Sequence, residues 1–315
     1  MAMTDFQISR RALVGGMAAG AALAPFAHAI TPAPAPNFIV VGDWGRDGAQ
    51  HQRDVAVQMG RTAAARGSRF VLSVGDNFYE NGVKSTIDPQ WRTSFEDVYT
   101  DPALMVAWQV VLGNHDYRGN PQAQIDYTAI SKRWRMPSRY RVVRSEESGV
   151  PGLDLFVIDT SPLVHAYREK VDGAIARNVA TQDVSTQLAW LDRELGASRA
   201  PWKIVTGHHT IRSGGSGHGD TPELVSLVKP LLEKHGVQMY INGHDHDLQH
   251  IVDNRVHYLC VGAGSEVRPV KAVAGTRFAI NRSGFATVAI GPDKLDLGFR
   301  DYLGQALYTA EVGRA

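Results

Sequence analysis

The sequence predicts an α/β protein, a four-layer α/β/β/α sandwich with two mixed β-sheets packed face to face and helices outside both. Three observations carry this expectation. Short apolar runs alternate with helix-periodic stretches as far as Ile241. Beyond Val256 the pattern changes to apolar runs joined by turns, as in β-hairpins. Five of the apolar runs empty into a glycine followed at once by a polar or metal-ligating side chain.

In chain order, Phe38–Val41 is a fully apolar strand ending in Gly42-Asp43-Trp44-Gly45. Gln50 to Arg66 carries Val55, Met59 and Ala63 at helical spacing. Phe70–Val74 is the second strand and ends in Gly75-Asp76-Asn77-Phe78-Tyr79. Asp88-Pro89 opens a helix containing Trp91, Phe95 and Val98, because proline suits a first helical turn. Trp108–Leu112 is a strand ending in Gly113-Asn114-His115-Asp116, and Gln122 to Trp134 reads as a helix. Leu153–Ile158 is a strand, and Pro162 to Asp183 lacks periodicity and reads as a surface loop. A helix runs from about Gln187 to Leu195. Lys203–Thr206 is a strand ending in Gly207-His208-His209. Pro222 to His235 is an amphipathic helix, and Gln238–Ile241 a strand ending in Asn242-Gly243-His244-Asp245-His246. Val256–Val261, Gly284–Ile290, Leu295–Tyr302 and about Ala306–Val312 complete the strands.

Composition bounds the function. The 315 residues suit one large α/β domain or two small ones. A formal charge of +1 gives no support for nucleic acid as a partner, which wants a basic face. Cys260 is the only cysteine, so no internal disulfide is possible, and its apolar neighbours mark it as a buried thiol. Ser9-Arg10-Arg11, the mildly apolar run Ala12–Phe26 and Ala27-His28-Ala29 have the pattern of a twin-arginine (Tat) signal peptide. The expected organisation is a signal over residues 1–29, a Pro/Ala-rich leader over 30–37 and one domain over 38–315. The expected location is periplasmic or secreted, as a monomer without stable membrane association after cleavage.

The chemistry lies in the five glycine-led turns. In open α/β sheets a ligand sits beyond the carboxyl ends of the strands, where all five fall. A lone Gly-Asp is a turn, and a lone His-x-His is a surface pair. Five such turns in this order make a metal site.

These motifs resemble those of the calcineurin-like metallophosphoesterases, specifically the small, tartrate-resistant purple acid phosphatases. The stretches Thr93-Ser94-Phe95-Glu96-Asp97-Val98-Tyr99 and Ile130-Ser131-Lys132-Arg133-Trp134 are similar too. The resemblance covers the chain from Phe38 onward. It implies one metal on Asp43, Asp76, Tyr79 and His246, and another on Asp76, Asn114, His208 and His244. The first set has three anionic donors, which suit a trivalent ion; the second suits a divalent one. Many relatives in the wider superfamily have a histidine two residues after the first aspartate. Here Gly45 stands there, and Tyr79 can supply the missing ligand. Iron(III) with iron, zinc or manganese is therefore expected, with a tyrosinate band in the visible.

The implied reaction is hydrolysis of small phosphate monoesters by hydroxide made from metal-bound water. His115 and His218 are the implied catalytic histidines, with Gly217 where relatives often carry an acidic neighbour. Asp116 is expected to orient His115, Asp245 to be structural, His209 to line the site and Trp44 to form its wall. The loop 162–183 resembles by position a loop limiting access in mammalian relatives. Two other functions stay open: a phosphodiesterase or nucleotide hydrolase on the same metals, and a non-catalytic metal- or phosphate-binding protein.

Overall fold

The computed structural model describes residues 35–169 and 173–314. The expected signal peptide lies outside the described residues, as does most of the leader.

Fourteen strands run in chain order among the described residues. They are β1 (Asn37–Val41), β2 (Phe70–Ser73), β3 (Ala107–Val110), β4 (Trp134–Arg135), β5 (Arg141–Val143), β6 (Leu153–Val157) and β7 (Trp202–Thr206). There follow β8 (Met239–Asn242), β9 (Leu248–Asp253), β10 (Val256–Val261), β11 (Thr276–Ile280), β12 (Gly284–Ile290), β13 (Lys294–Asp301) and β14 (Ala306–Gly313). One seven-stranded sheet has the order β14-β13-β12-β1-β2-β3-β4, the other β11-β9-β10-β8-β7-β6-β5. β1 to β4 run parallel, and β12 joins β1 antiparallel. In the second sheet β6, β7, β8 and β10 run parallel.

The alternation of side chains along a strand builds the layers. Phe38 and Val40 of β1 enter a core shared with Leu155, Ile204, Ile241 and Leu259 of the other sheet. Ile39 and Val41 point the opposite way, to Val55, Met59 and the Trp91–Phe95 turn. The far face of the second sheet packs Val205 and Tyr240 on Leu191, Leu224 and Leu232 from the helices. The expected sandwich is thus the observed fold.

Some elements differ from expectation. The turn after Asp88-Pro89 is a π-helix, Trp91–Glu96. The helix expected to reach Trp134 ends at Asp126 with a short 3-10 turn, and Trp134 instead pairs with Trp108 in β4–β3. The amphipathic helix is two, Pro222–Leu227 and Lys229–Lys234. Pro230 has no N–H to continue the first ladder. The segment 162–183 is not a plain loop. Helices His165–Glu169 and Ala174–Ala180 form there, with Leu163, Ala176 and Val179 buried. Among the described residues no helix is long and apolar enough to cross a membrane.

Candidate metal centre

The five glycine-led turns follow β1, β2 and β3 of one sheet and β7 and β8 of the other. Both groups leave the carboxyl ends of adjacent parallel strands, so the turns meet across the seam between the sheets. Three donor residues, Asp43, Asp76 and His244, take left-handed backbone angles (φ 59°, 50° and 72°). That conformation is uncommon outside glycine and is concentrated at functional sites. The glycines contribute chiefly space. A Cβ on Gly113 would lie 2.2 Å from the Asp76 carboxylate, and one on Gly45 would lie 1.8 Å from the Asn77 carbonyl. No histidine fits at position 45 without displacing the turn that carries Tyr79, whose N–H donates to the Gly45 carbonyl at 2.8 Å.

All seven expected metal-binding side chains converge and are buried. Tyr79 Oη lies 3.0 Å from Asp43 Oδ1, 3.1 Å from Asp76 Oδ2 and 3.0 Å from His246 Nε2. On the other side, His208 Nε2 lies 3.4 Å from the same Asp76 oxygen, 3.2 Å from Asn114 Oδ1 and 3.3 Å from His244 Nδ1. Asp76 is thus common to both groups, and its second oxygen accepts the His115 N–H at 2.8 Å.

The donor chemistry tests whether cations fit. His208 Nδ1 must donate to the Val74 carbonyl, 2.9 Å away. In the neutral ring Nε2 then bears a lone pair and faces the lone pairs of Asn114 Oδ1 and Asp76 Oδ2. Burial by itself would lower the pKa of this imidazole, but Asp76 and Asp43 raise it to about 9, so without a metal ion a proton takes that place. Acceptors facing acceptors at 3.2–3.4 Å repel unless a proton or a metal ion lies among them. Spacings of this size are also those of neighbouring donors around an ion bound at about 2.1 Å. Among the described residues, Asp43, Asp76 and His208 each offer a donor atom within 4.8 Å of the others. Two cations fit, with Asp76 between them.

Electrostatics are consistent with that fit. Burial by itself would raise the Asp76 carboxyl, but the charges and hydrogen bonds of His208 and His115 hold it well below the usual range. Burial, with Asp43 and Asp76 alongside, pushes the Tyr79 phenol well above its ordinary value. Without a cation, therefore, that phenol keeps its proton.

The two expected catalytic histidines flank the donors. His115 has its ring centroid 4.4 Å from that of Tyr79 and its Nε2 4.0 Å from Asp76 Oδ2. Its Nδ1 donates to the Glu80 carbonyl at 2.7 Å. His218 stacks on His244 at 3.8 Å between centroids. Burial lowers the pKa of both, against the opposing charges of Asp76 and Asp245 respectively.

Two expectations are corrected. Asp116 does not orient the His115 ring. It accepts from Gly113 N, Asn77 N, Asn77 Nδ2 and Gln124 Nε2, locking the turns after β2 and β3 together. Trp44 is no wall of the site. It is fully buried in an aromatic cluster and donates to Ser73 Oγ at 2.8 Å. Asp245 is structural as expected, receiving Ser213 Oγ and the N–H groups of His218 and Gly219. Those contacts fix the loop under His218.

A family model, calcineurin-like phosphoesterase, matches residues 36–248. The chain belongs to the calcineurin-like phosphoesterase family. Within it, this phosphoesterase is a homologue of the purple acid phosphatases. It is 40% identical over 312 residues to purple acid phosphatase 4 of Arabidopsis thaliana, covering 93% of this chain and 88% of that protein. It is 36% identical over 312 residues to tartrate-resistant acid phosphatase type 5 of Oryctolagus cuniculus, covering 92% and 94% of the two chains. A similar solved structure is GAP50, the anchor in the inner membrane complex of Plasmodium. Its TM-score is 0.75 at 25% identity, covering 89% of each chain.

Several residues around the phosphoesterase site had no signal in the sequence. Arg46 stacks over Tyr79 with its guanidinium carbon 3.9 Å from the ring centroid. Thr160 receives the N–H groups of His208 and His209. Tyr167 reaches His209 from the segment 162–183. The Gly207-His208-His209 turn could have suggested a partner for His209, but not which residue supplies it.

Proposed function

We propose that this chain is a binuclear-metal acid phosphatase that hydrolyses small phosphate esters, monoesters in preference to diesters. The observation that carries the reading is the buried convergence of two groups of potential ligands on the shared Asp76 carboxylate. Homology to purple acid phosphatases along nearly the whole chain supports it.

In this reading Asp43, Asp76, Tyr79 and His246 hold one cation, and Asp76, Asn114, His208 and His244 the other. Two cations so held would supply Lewis acidity for the phosphoryl group and acidify a water to make the nucleophile. The harder, anionic first set is assigned iron(III) and the second a divalent iron, zinc or manganese ion. His115 and His218 stand at the open side. Their task is to hold or deliver the proton that the leaving oxygen needs. His115 is suited to it because the Glu80 carbonyl fixes the Nδ1 proton and leaves Nε2 facing the donors.

We also infer that residues 1–29 are a Tat-type export signal on a domain that begins near residue 38, and that the mature protein is periplasmic or secreted. The twin arginines and the small-x-small site support this. Replacing Arg10 and Arg11 by lysine should retain activity inside the cell.

Metal analysis and a visible spectrum of the purified protein test the function, beside rates on p-nitrophenyl phosphate and its bis ester. Two metals per chain, a visible band and faster monoester cleavage are expected. A protein holding both metals but releasing no phosphate from mild acid to neutral pH would overturn the reading.

A further inference from the structure

We propose that Tyr167 is a substrate-contacting hydrogen-bond donor of this site, positioned by His209. The inference rests on the reading of the metal cluster as the phosphate site.

The hydrogen bonds fix which way the protons point. Thr160 Oγ1 accepts the N–H of His208 at 3.2 Å and the N–H of His209 at 3.1 Å. A hydroxyl has two acceptor sites, and both are used. Its single proton therefore goes to His209 Nδ1, 2.7 Å away. That nitrogen is an acceptor, so the proton of the neutral His209 ring sits on Nε2. Nε2–H in turn donates to Tyr167 Oη at 3.0 Å. The Tyr167 oxygen is thereby held as an acceptor, and its own O–H is left to donate elsewhere. Among the described residues His209 is the hydrogen-bond partner recorded for that hydroxyl.

The place is the right one. The His209 ring lies 4.3 Å from the His244 ring and 5.1 Å from the His208 ring, centroid to centroid. The Tyr167 hydroxyl therefore stands one imidazole away from two donors of the cluster. The short helix that carries it, His165–Glu169, is tied down on both sides. The His165 N–H donates to Glu223 Oε1 at 2.8 Å. Arg168 donates to the carbonyls of Pro162 and Gln182, both at 3.0 Å. The phenol is thus held in place before a ligand arrives, which reduces the ordering cost of a contact.

A phosphoryl group presents mainly acceptor oxygens that carry its negative charge, so a donor is the group that best engages it. A tyrosine, with an ordinary pKa near 10, stays protonated through the acid range. The contact binds a peripheral oxygen of the bound phosphate or ester. No bond is made or broken by Tyr167 itself.

The test uses the metal-loaded enzyme and Tyr167→Phe, with inorganic phosphate as the probe. The inhibition constant of phosphate and the KM of p-nitrophenyl phosphate should both rise, by roughly tenfold for a lost hydrogen bond to a charged group. Metal content and the visible band should stay unchanged. His209→Ala should reproduce the weaker phosphate inhibition, and the double variant should be no weaker than either single one, because the two act as a unit. An inhibition constant within about twofold of the parent, well below the expected loss, would overturn the proposal. So would loss of metal or of the visible band in Tyr167→Phe, because the phenol would then be structural. Failure of the metal reading looks different: the parent protein itself would then bind no phosphate at its metals.

Discussion

The guanidinium of Arg46 lies over the Tyr79 ring, 3.9 Å from the ring centroid to the guanidinium carbon. Glu80 at 2.7 Å and Glu266 at 2.6 Å clamp that cation in place. Glu266 also lies 3.9 Å from His246 Nδ1, the ring nitrogen turned away from the donor cluster. Arg46 and Glu266 thus form an outer layer behind two residues assigned to the trivalent metal. Metal sites commonly use such layers to set ligand orientation and basicity.

The first prediction concerns colour. Tyr79→Phe should abolish the visible charge-transfer band, because among the described residues no other phenol joins that donor set. Arg46→Met keeps much of the packing and removes the charge. A cation over the ring stabilises phenolate electrons, so its loss should move the band to longer wavelength with metal content retained. An unmoved band in Arg46→Met would show that the stacked cation does not tune the phenolate. A band surviving in Tyr79→Phe would refute the ligand assignment.

A second prediction separates His115 from the metal ligands. His115→Asn should leave both metals bound, since Nε2 is 4.0 Å from Asp76 and outside the donor spacings. Loss of proton delivery should lower kcat by roughly 10²–10⁴-fold. The loss should be steeper for alkyl phosphates than for p-nitrophenyl phosphate, whose leaving group needs no proton. Equal losses on both substrates would assign His115 to phosphate binding instead.

The central strands and the donor set were legible because each is local. β1, β2, β7 and β8 are short apolar runs, and their ligands follow within a few residues of the strand ends. β9 was not legible because Gln249 and His250 interrupt its apolar pattern; both are buried and hydrogen-bonded to Ser213, Asp247, His257 or Tyr308. β4 is two residues long and exists by pairing with β3. The polar stretch after Pro162 hid its helices because its apolar residues cover a small area rather than a full stripe. Thr160–His209–Tyr167 could not be read at all. Tyr167 and His209 are 42 positions apart, and only the fold brings them together.

A third prediction concerns Asp116. Its carboxylate receives four donors from Gly113, Asn77 and Gln124, all buried. Asp116→Ala strands those donors, and each buried unpaired group costs about 1–3 kcal/mol before relaxation. A loss of about 3–5 kcal/mol in urea unfolding is expected, because relaxation and entering water re-pair only some of the four neutral donors. A loss below about 1 kcal/mol, less than one stranded donor should cost, would mean the turns hold their geometry without it.

The last prediction is a stability slope away from the metals. His250 is buried on β9, with Nε2 2.8 Å from His257 Nδ1 and Nδ1 3.1 Å from Tyr308 Oη. Burial, then the charges of His257 and Arg277, lower its pKa to about 4. In the unfolded chain the same group titrates near 6.5. Between those values the unfolded state binds a proton that the folded state refuses. Stability contributed by the neutral ring is therefore whole above about pH 6.5 and is lost as pH falls toward 4, by about 2–3 kcal/mol in all. His250→Gln retains a polar group without titrating. Urea unfolding at pH 7, 5.5 and 4.5 should show a flatter decline for His250→Gln than for the parent. This pair would contribute to how far down in pH the fold survives. Parallel declines in the two proteins would place the acid sensitivity elsewhere.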